Sequence, residues 1–329
     1  MKKIFLLILI MVALTGCGEK NLKGSDVTVL KLAHAHNEDH PVHRALIKFS
    51  KDLEEKTKGS IKVQIYPNSQ LGSEREVIEL TQSGAIDIVK IGGGSLESFA
   101  EAYSIFSLPY LFDNKEHFFR VMDSNIAKEL YQVTKKVGFI GLTYYDAGAR
   151  SVYTSNKPIM HPNDLKGLKI RVQSSATQIK MLELLKGSPT PIAYGEVYAA
   201  LQQGVIDGAE NSELNLISTN HSEVAKEFTY TEHTIVPDIL IISLNTWEKL
   251  NQEQKEAISE AAKQSTEFQK KIWAKETEEA IEQARKDGVH FNKPDLTSFR
   301  KAVQPLHIEF QKKESTRKYY KKIREVAEK

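Results

Sequence analysis

The chain has 329 residues, with 45 Lys and Arg against 43 Asp and Glu, a formal net charge of +2. That balance excludes a protein drawn to polyanions by bulk charge, so nucleic acid is not expected as a partner. A hydrophobic share of 40% and a charged share of 27% are those of a soluble globular protein, and the length suits two domains.

Taken in chain order, Lys2 and Lys3 give a positive start, and Ile4 to Ala13 is an unbroken apolar run. The run is too short for a comfortable transmembrane helix, which needs about 20 apolar residues. Leu14-Thr15-Gly16 then precedes Cys17, the only cysteine. No disulfide can form within the chain, so this leftover thiol needs another explanation. Residues 1–17 read as a secretory signal ending in a lipoprotein box, with Cys17 lipidated. Residues 18–26 read as a polar tether. The expected location is the cell envelope, at the outer face of the cytoplasmic membrane or in the periplasm, anchored by lipid.

Val27 to Ala33 alternates as a strand does. Pro41 opens a helix whose apolar positions Ala45, Leu46, Phe49 and Leu53 fall on one stripe, and Lys58-Gly59 ends it. Ile61, Val63 and Ile65 alternate as a second strand. Glu76–Gln82 reads as a helix, and Ala85–Val89 as a short buried strand. Alternating β and α units predict an α/β layered architecture. Leu80–Asp87 resembles Leu201–Asp207: a helix end, a glycine, then Ile and Asp. Two lobes of related construction are therefore expected, and Gly141–Ala149 reads as a strand crossing between them. Gln252–Asp287 has no Gly or Pro and ends before Gly288, predicting a helix of roughly 50 Å along both lobes.

The candidate chemistry is capture rather than turnover. Arg171 ends the strand Leu168-Lys169-Ile170-Arg171, and a guanidinium fork grips both oxygens of a carboxylate. Ser174 and Ser175 follow as caps of a helix whose free N–H groups would favour an anion. The competing reading of Arg171 is a surface arginine paired with a local acid. Arg150, after Tyr144-Tyr145-Asp146, either shares the carboxylate or forms a salt bridge with Asp146 or Asp164. Asn211 stands at a strand end, where open α/β sheets bind ligands. Tyr194 either stacks on the ligand or belongs to the core. His34, His36, His40 and His43 are dense in metal-ligand potential. A metal-binding lipoprotein is the alternative they raise. The preferred reading is a polar loop with His36, Asn37 and Glu38 beside ligand hydroxyls, with no metal and no cofactor. Gly92-Gly93-Gly94 lacks the Gly-Lys-Ser/Thr of a phosphate loop and would let backbone approach a ligand. No nucleophile elbow or kinase signature occurs, so an enzyme is not expected.

Six blocks carry a family resemblance: Tyr66–Gly72, Leu108–Tyr110, Gly167–Arg171, Ser188–Pro191, Glu196–Tyr198 and Asp207–Asn211. In them the chain resembles the substrate-binding subunits of tripartite ATP-independent periplasmic (TRAP) transporters. The resemblance implies a two-lobed, periplasmic-binding-protein-like (class II-like) α/β fold with a hinge. It implies lobe I at 27–147 plus 237–276 and lobe II at 148–236 plus 277–329. It implies a receptor, expected to be a monomer, that closes on a small carboxylate and delivers it to an ion-coupled permease. Arg171 would grip the carboxylate, Arg150 and Asn211 would assist, Tyr194 would line the site and Glu74 would meet a hydroxyl. Ser174 and Gly92 stand where sialic-acid binders carry an asparagine and an acidic residue. Sialic acid is therefore not expected; the His34–His43 loop and the run Tyr144–Arg150 resemble binders of sugar acids, which implies a hexuronate such as glucuronate, with a C4-dicarboxylate or keto acid as the alternative.

Overall fold

The computed structural model describes residues 27–327, so the signal, Cys17 and the tether lie outside the described residues. Strand β1 (Thr28–Ala33) leads through the histidine-rich loop into α1 (Pro41–Lys56), followed by β2 (Ile61–Tyr66), α2 (Glu74–Ser83) and β3 (Ile88–Gly92). Two 3-10 turns, Gly93–Ser98 and Glu101–Ser107, precede α3 (Lys115–Met122), α4 (Asn125–Val133) and β4 (Phe139–Tyr145). The chain then crosses into β5 (Ala149–Thr154), β6 (Lys169–Val172), α5 (Ala176–Leu184), β7 (Ser188–Pro191), α6 (Val197–Gln202), β8 (Gly208–Asn211) and α7 (Glu213–Ser218). It returns through β9 (Glu227–Ile235) to β10 (Asp238–Ser243), α8 (Leu244–Lys249) and α9 (Gln252–Lys286). β11 (His290–Asn292), α10 (Thr297–Ala302), α11 (Gln304–Lys312) and α12 (Glu314–Ala327) complete it.

The strands form two mixed sheets, β2-β1-β3-β10-β4 and β11-β9-β5-β8-β6-β7. Each is the centre of one half of the molecule. The helical stripe of α1 is what its spacing requires: Ala45, Leu46, Phe49 and Leu53 are fully buried. The predicted internal repeat has a structural counterpart. Asp87 Oδ2 accepts from the Lys31 N–H at 2.8 Å, and Asp207 Oδ2 accepts from the Lys169 N–H at 2.7 Å. In both copies the strand begins after the aspartate, at Ile88 and Gly208, rather than at the isoleucine before it. The Ile-Asp pair is the turn that pins the strand start to its neighbour.

Helix α9 has 35 residues, opens on an Asn251 capping box and packs on α1 and β4 of the first half and on α7 of the second. Its polar inner face holds the crossing strand. The Asp146 N–H donates to Gln269 Oε1 at 2.9 Å, Gln269 Nε2 donates to the Asp146 carbonyl at 2.7 Å, and Tyr145 Oη lies 2.9 Å from Ser265 Oγ. These bonds satisfy backbone groups where the chain leaves one sheet for the other. Gly148 then takes φ +74, and a Cβ there would sit 2.8 Å from Ser212 Cβ.

One expectation is corrected. Residues 314–327 were assigned with lobe II, but α12 buries Thr316, Tyr319 and Ile323 against the first half. His117 Nε2 meets the Ile323 carbonyl at 2.9 Å, and Lys322 pairs with Glu129 at 2.6 Å. The hydrophobic side of this amphipathic helix finds its partners on α3, α4 and the turn Glu101–Ser107.

Candidate functional site

Between the two halves lies a small, nearly filled polar cavity of about 30 Å³. The first half contributes Ala35, His36, Glu74, Lys90 and Asp238; the second contributes Arg150, Arg171, Gln173, Tyr194, Asn211 and Asn215; Ala147 lies at the crossing. A larger hollow of about 340 Å³ opens at Asp146, Gly148 and Trp273. There Asp146 pairs with Lys115 at 2.7 Å and Arg300 lies over the Tyr110 ring. Size alone would favour the larger hollow. The smaller one holds Arg171, a buried arginine with no carboxylate partner among the described residues, which makes it the candidate site.

The two arginines differ in their partners. Arg150 is 4% exposed, and its Nη2 donates to Glu210 Oε1 at 2.7 Å while its Nε pairs with Oε2 of the same carboxylate. Its Nη1 donates to Asn211 Oδ1 at 3.2 Å. Burial pushes the Glu210 carboxyl up, but the Arg150 charge and a hydrogen bond from His233 outweigh it and hold it at about 2. The salt-bridge reading of Arg150 was right in kind, with Glu210 in place of Asp146 or Asp164. Arg171 is 5% exposed, yet its Nε and Nη2 donate only to the Ile192 carbonyl, at 3.2 and 3.1 Å. Among the described residues no carboxylate forms an ion pair with it. Burial, then the neighbouring Arg150, lower its pKa. It nevertheless remains a cation.

Tyr194 places its ring 5.6 Å from the Arg171 guanidinium and donates its hydroxyl to Asn215 Oδ1 at 3.0 Å. Burial pushes that phenol up to about 12, so it stays a neutral donor. Glu74 accepts from the Gly92 N–H at 2.8 Å and from Ser95 Oγ at 2.5 Å. Lys90, 2% exposed, donates to Asp238 Oδ2 and to His36 Nε2, both at 2.9 Å. Burial pushes the Asp238 carboxyl up, but the Lys90 charge outweighs it and holds it below the usual range.

Arg150, Arg171, Asn211, Tyr194, Glu74 and His36 thus share one cavity, while Ser174 and Asn37 stand outside its lining. Successive residues of an extended segment face opposite ways. With Arg171 facing inward, Gln173 does too, and Ser174 is exposed. Asn37 instead ties the halves together, its Nδ2 donating to the Ser218 carbonyl at 2.7 Å. The N–H groups at the start of α5 are not offered to a ligand either. Glu97 accepts there from Ser175 Oγ, the Thr177 N–H and Thr177 Oγ1. The anion at that helix end is the protein's own carboxylate. Gly94 gives room to Gln173 from the other half.

The histidines do not converge on a metal position. His34 Nε2 faces His43 Nδ1 at 2.9 Å, and His36 stacks on His40 at 3.8 Å. Among the described residues no group of three or more His, Cys, Asp or Glu is placed to hold a metal ion. The Lys90 ammonium beside His36 would repel a cation there. Sequence reasoning passed over Lys90, Gln173, Asn215 and Asp238. The signal for two of them was present, since Lys90 interrupts the apolar run Ile88–Ile91 and Asp238 opens the buried run Ile239–Ile242.

Residues 32–314 match the model of the bacterial extracellular solute-binding proteins, family 7. Residues 1–17 match the prokaryotic membrane lipoprotein lipid attachment site. An uncharacterised protein of Salmonella typhimurium, YiiZ, is 48% identical over 282 residues, 85% of this chain and 86% of that one. A TRAP periplasmic solute-binding protein from Anaerococcus prevotii, solved with bound α/β-D-glucuronate, superposes with a TM-score of 0.90 at 40% identity. The match covers 92% of this chain and 98% of that one. One from Xanthobacter autotrophicus with bound β-D-galacturonate gives 0.87 at 35% identity, over 89% of this chain and 98% of that one.

Proposed function

Since the chain belongs to family 7 of the bacterial extracellular solute-binding proteins, the solute receptors of TRAP transporters, we propose that its ligand is a hexuronate held through its carboxylate by Arg171. One observation carries this reading. Arg171 is a buried guanidinium without a protein carboxylate, in a cavity that both halves line. A buried charge without a partner is costly, and an anionic ligand offsets that cost. Arg150 is already neutralised by Glu210, so it positions Asn211 and the strand end rather than supplying the main grip. The neighbours solved with glucuronate and galacturonate support the sugar-acid class.

The halves move about the crossings at Ala147 and Val236 with α9 as spine, and the closed receptor hands its ligand to the membrane permease. The lipid on Cys17 keeps the receptor near that permease as a monomer. The protein is a binder, and its function needs no bond broken.

A thermal-shift series with D-glucuronate, D-galacturonate, aldonates, dicarboxylates and keto acids tests the reading. A ligand that binds only the native state raises the melting temperature by mass action. Hexuronates should give the largest shifts, and the Arg171→Ala variant should lose them. No shift with any acid, or equal binding by the variant, would overturn the assignment.

A further inference from the structure

The two walls of the cavity carry opposite hydrogen-bonding characters. The wall from the second half offers donors. Arg171 is unpaired, and both Asn211 and Gln173 use their side-chain oxygens within the protein, which leaves their N–H₂ groups uncommitted. The wall from the first half offers acceptors beside one donor. Asp238 uses Oδ2 for Lys90, and its Oδ1 accepts no hydrogen bond from the described residues. Glu74 presents a second carboxylate, and Lys90 has three N–H groups of which two are engaged.

A carboxylate only accepts, whereas a hydroxyl both donates and accepts. The donor wall fits the first kind of group, and the mixed wall fits the second. A second carboxylate placed against Asp238 and Glu74 would meet like charge with no donor to spare but Lys90. Packing alone does not account for the Lys90–Asp238 pair. Both side chains are buried, Lys90 at 2% and Asp238 at 7% exposed, where an apolar pair of similar volume is often as stable or more so. The geometry also fixes His36. An ammonium has only hydrogens to give, so His36 Nε2 accepts from Lys90, and the proton stands on Nδ1, which has no partner among the described residues.

We propose that Asp238 and Lys90 are the specificity-determining pair of this receptor: they read neighbouring hydroxyls of a polyhydroxylated monocarboxylate and, with Glu74, reject a second carboxylate. The inference rests on the reading that Arg171 holds the first carboxylate. Selection of this kind uses repulsion of the wrong ligand as well as attraction of the right one. It also divides the labour of closure. The acid end binds the second half, the hydroxyl end binds the first, and an acid without hydroxyls ties down only one of them.

Calorimetry with D-glucuronate and L-malate on the full mature protein tests the pair. The wild type should prefer D-glucuronate by a hundredfold or more. Asp238→Asn should weaken D-glucuronate at least tenfold while malate binding stays equal or improves. Because that variant leaves Lys90 unpaired, the double variant Lys90→Met/Asp238→Asn, neutral and similar in volume, is measured beside it with its melting temperature. It should fold and lose the discrimination. A wild type that binds malate as tightly as D-glucuronate would overturn the filter. So would a folded double variant that keeps the wild-type preference, or variants that lose both ligands in equal proportion. If the wild type binds D-glucuronate and Arg171→Ala abolishes it while the Asp238 and Lys90 variants bind normally, the filter falls and the receptor reading stands. If no acid binds the wild type, both fall.

Discussion

Arg150 and Arg171 stand on strands β5 and β6, which flank the same strand β8, and only Arg150 finds a carboxylate, Glu210 of β8. The neighbouring strands therefore hold one neutralised and one open guanidinium. The paired one braces the strand end that carries Asn211. The open one is available to a solute.

Arg171→Ala should weaken hexuronate binding a hundredfold or more, since each charge-assisted hydrogen bond contributes about 1.5–3 kcal/mol. Arg171→Lys keeps the charge without the planar fork and should fall between the two. The ligand-free melting temperature of Arg171→Ala should be unchanged or higher, because a buried unpaired charge has been removed. Titration calorimetry and scanning calorimetry together check this.

Asn37→Ala removes the 2.7 Å bond to the Ser218 carbonyl that links the halves. A net contribution of about 0.5–1.5 kcal/mol corresponds to a twofold to tenfold faster ligand release. Association should change little, since differences within one interface fall mostly on the off-rate. Stopped-flow displacement measures both.

Gly94→Ala would place a Cβ 2.6 Å from Gln173 Oε1 and 3.1 Å from Gln178 Nε2. Gln173 cannot simply swing aside, because Gln178 Nε2 holds its Oε1 at 2.9 Å. The halves should therefore close less fully. Affinity should fall about tenfold, and small-angle scattering should show a smaller ligand-induced contraction than in the wild type.

Stability should begin to fall below about pH 6.5. Burial, with neighbouring positive charge, lowers His34 from 6.5 to about 2 and His221 to about 3. Both pKa values are depressed in the folded state, so their contribution is complete above 6.5. Between there and about pH 3 the unfolded chain binds the extra protons. Each group then costs at most about 1.4 kcal/mol per pH unit. Urea unfolding at pH 7.5, 6 and 5 should show a steady decline, and His221→Asn should flatten it. A midpoint unchanged down to pH 5 would contradict this.

The sequence alone determined what depends on near neighbours in the chain. The stripe of α1 and the unbroken α9 with its Asn251 start and Gly288 stop follow from local periodicity and capping. Arg171 was legible for the same reason, as a guanidinium at the end of a strand. Tertiary structure decided which distant residues meet. Only strand order brings Glu210 to Arg150 across 60 positions and Asp238 to Lys90 across 148, and only the packing of the two halves brings Glu97 to the start of α5 across 78. Only the pleat decides that Gln173 enters the cavity and Ser174 does not. Periodic burial is repeated many times along an element and so survives in the sequence pattern. A single long-range ion pair is written once, at two positions that nothing local connects.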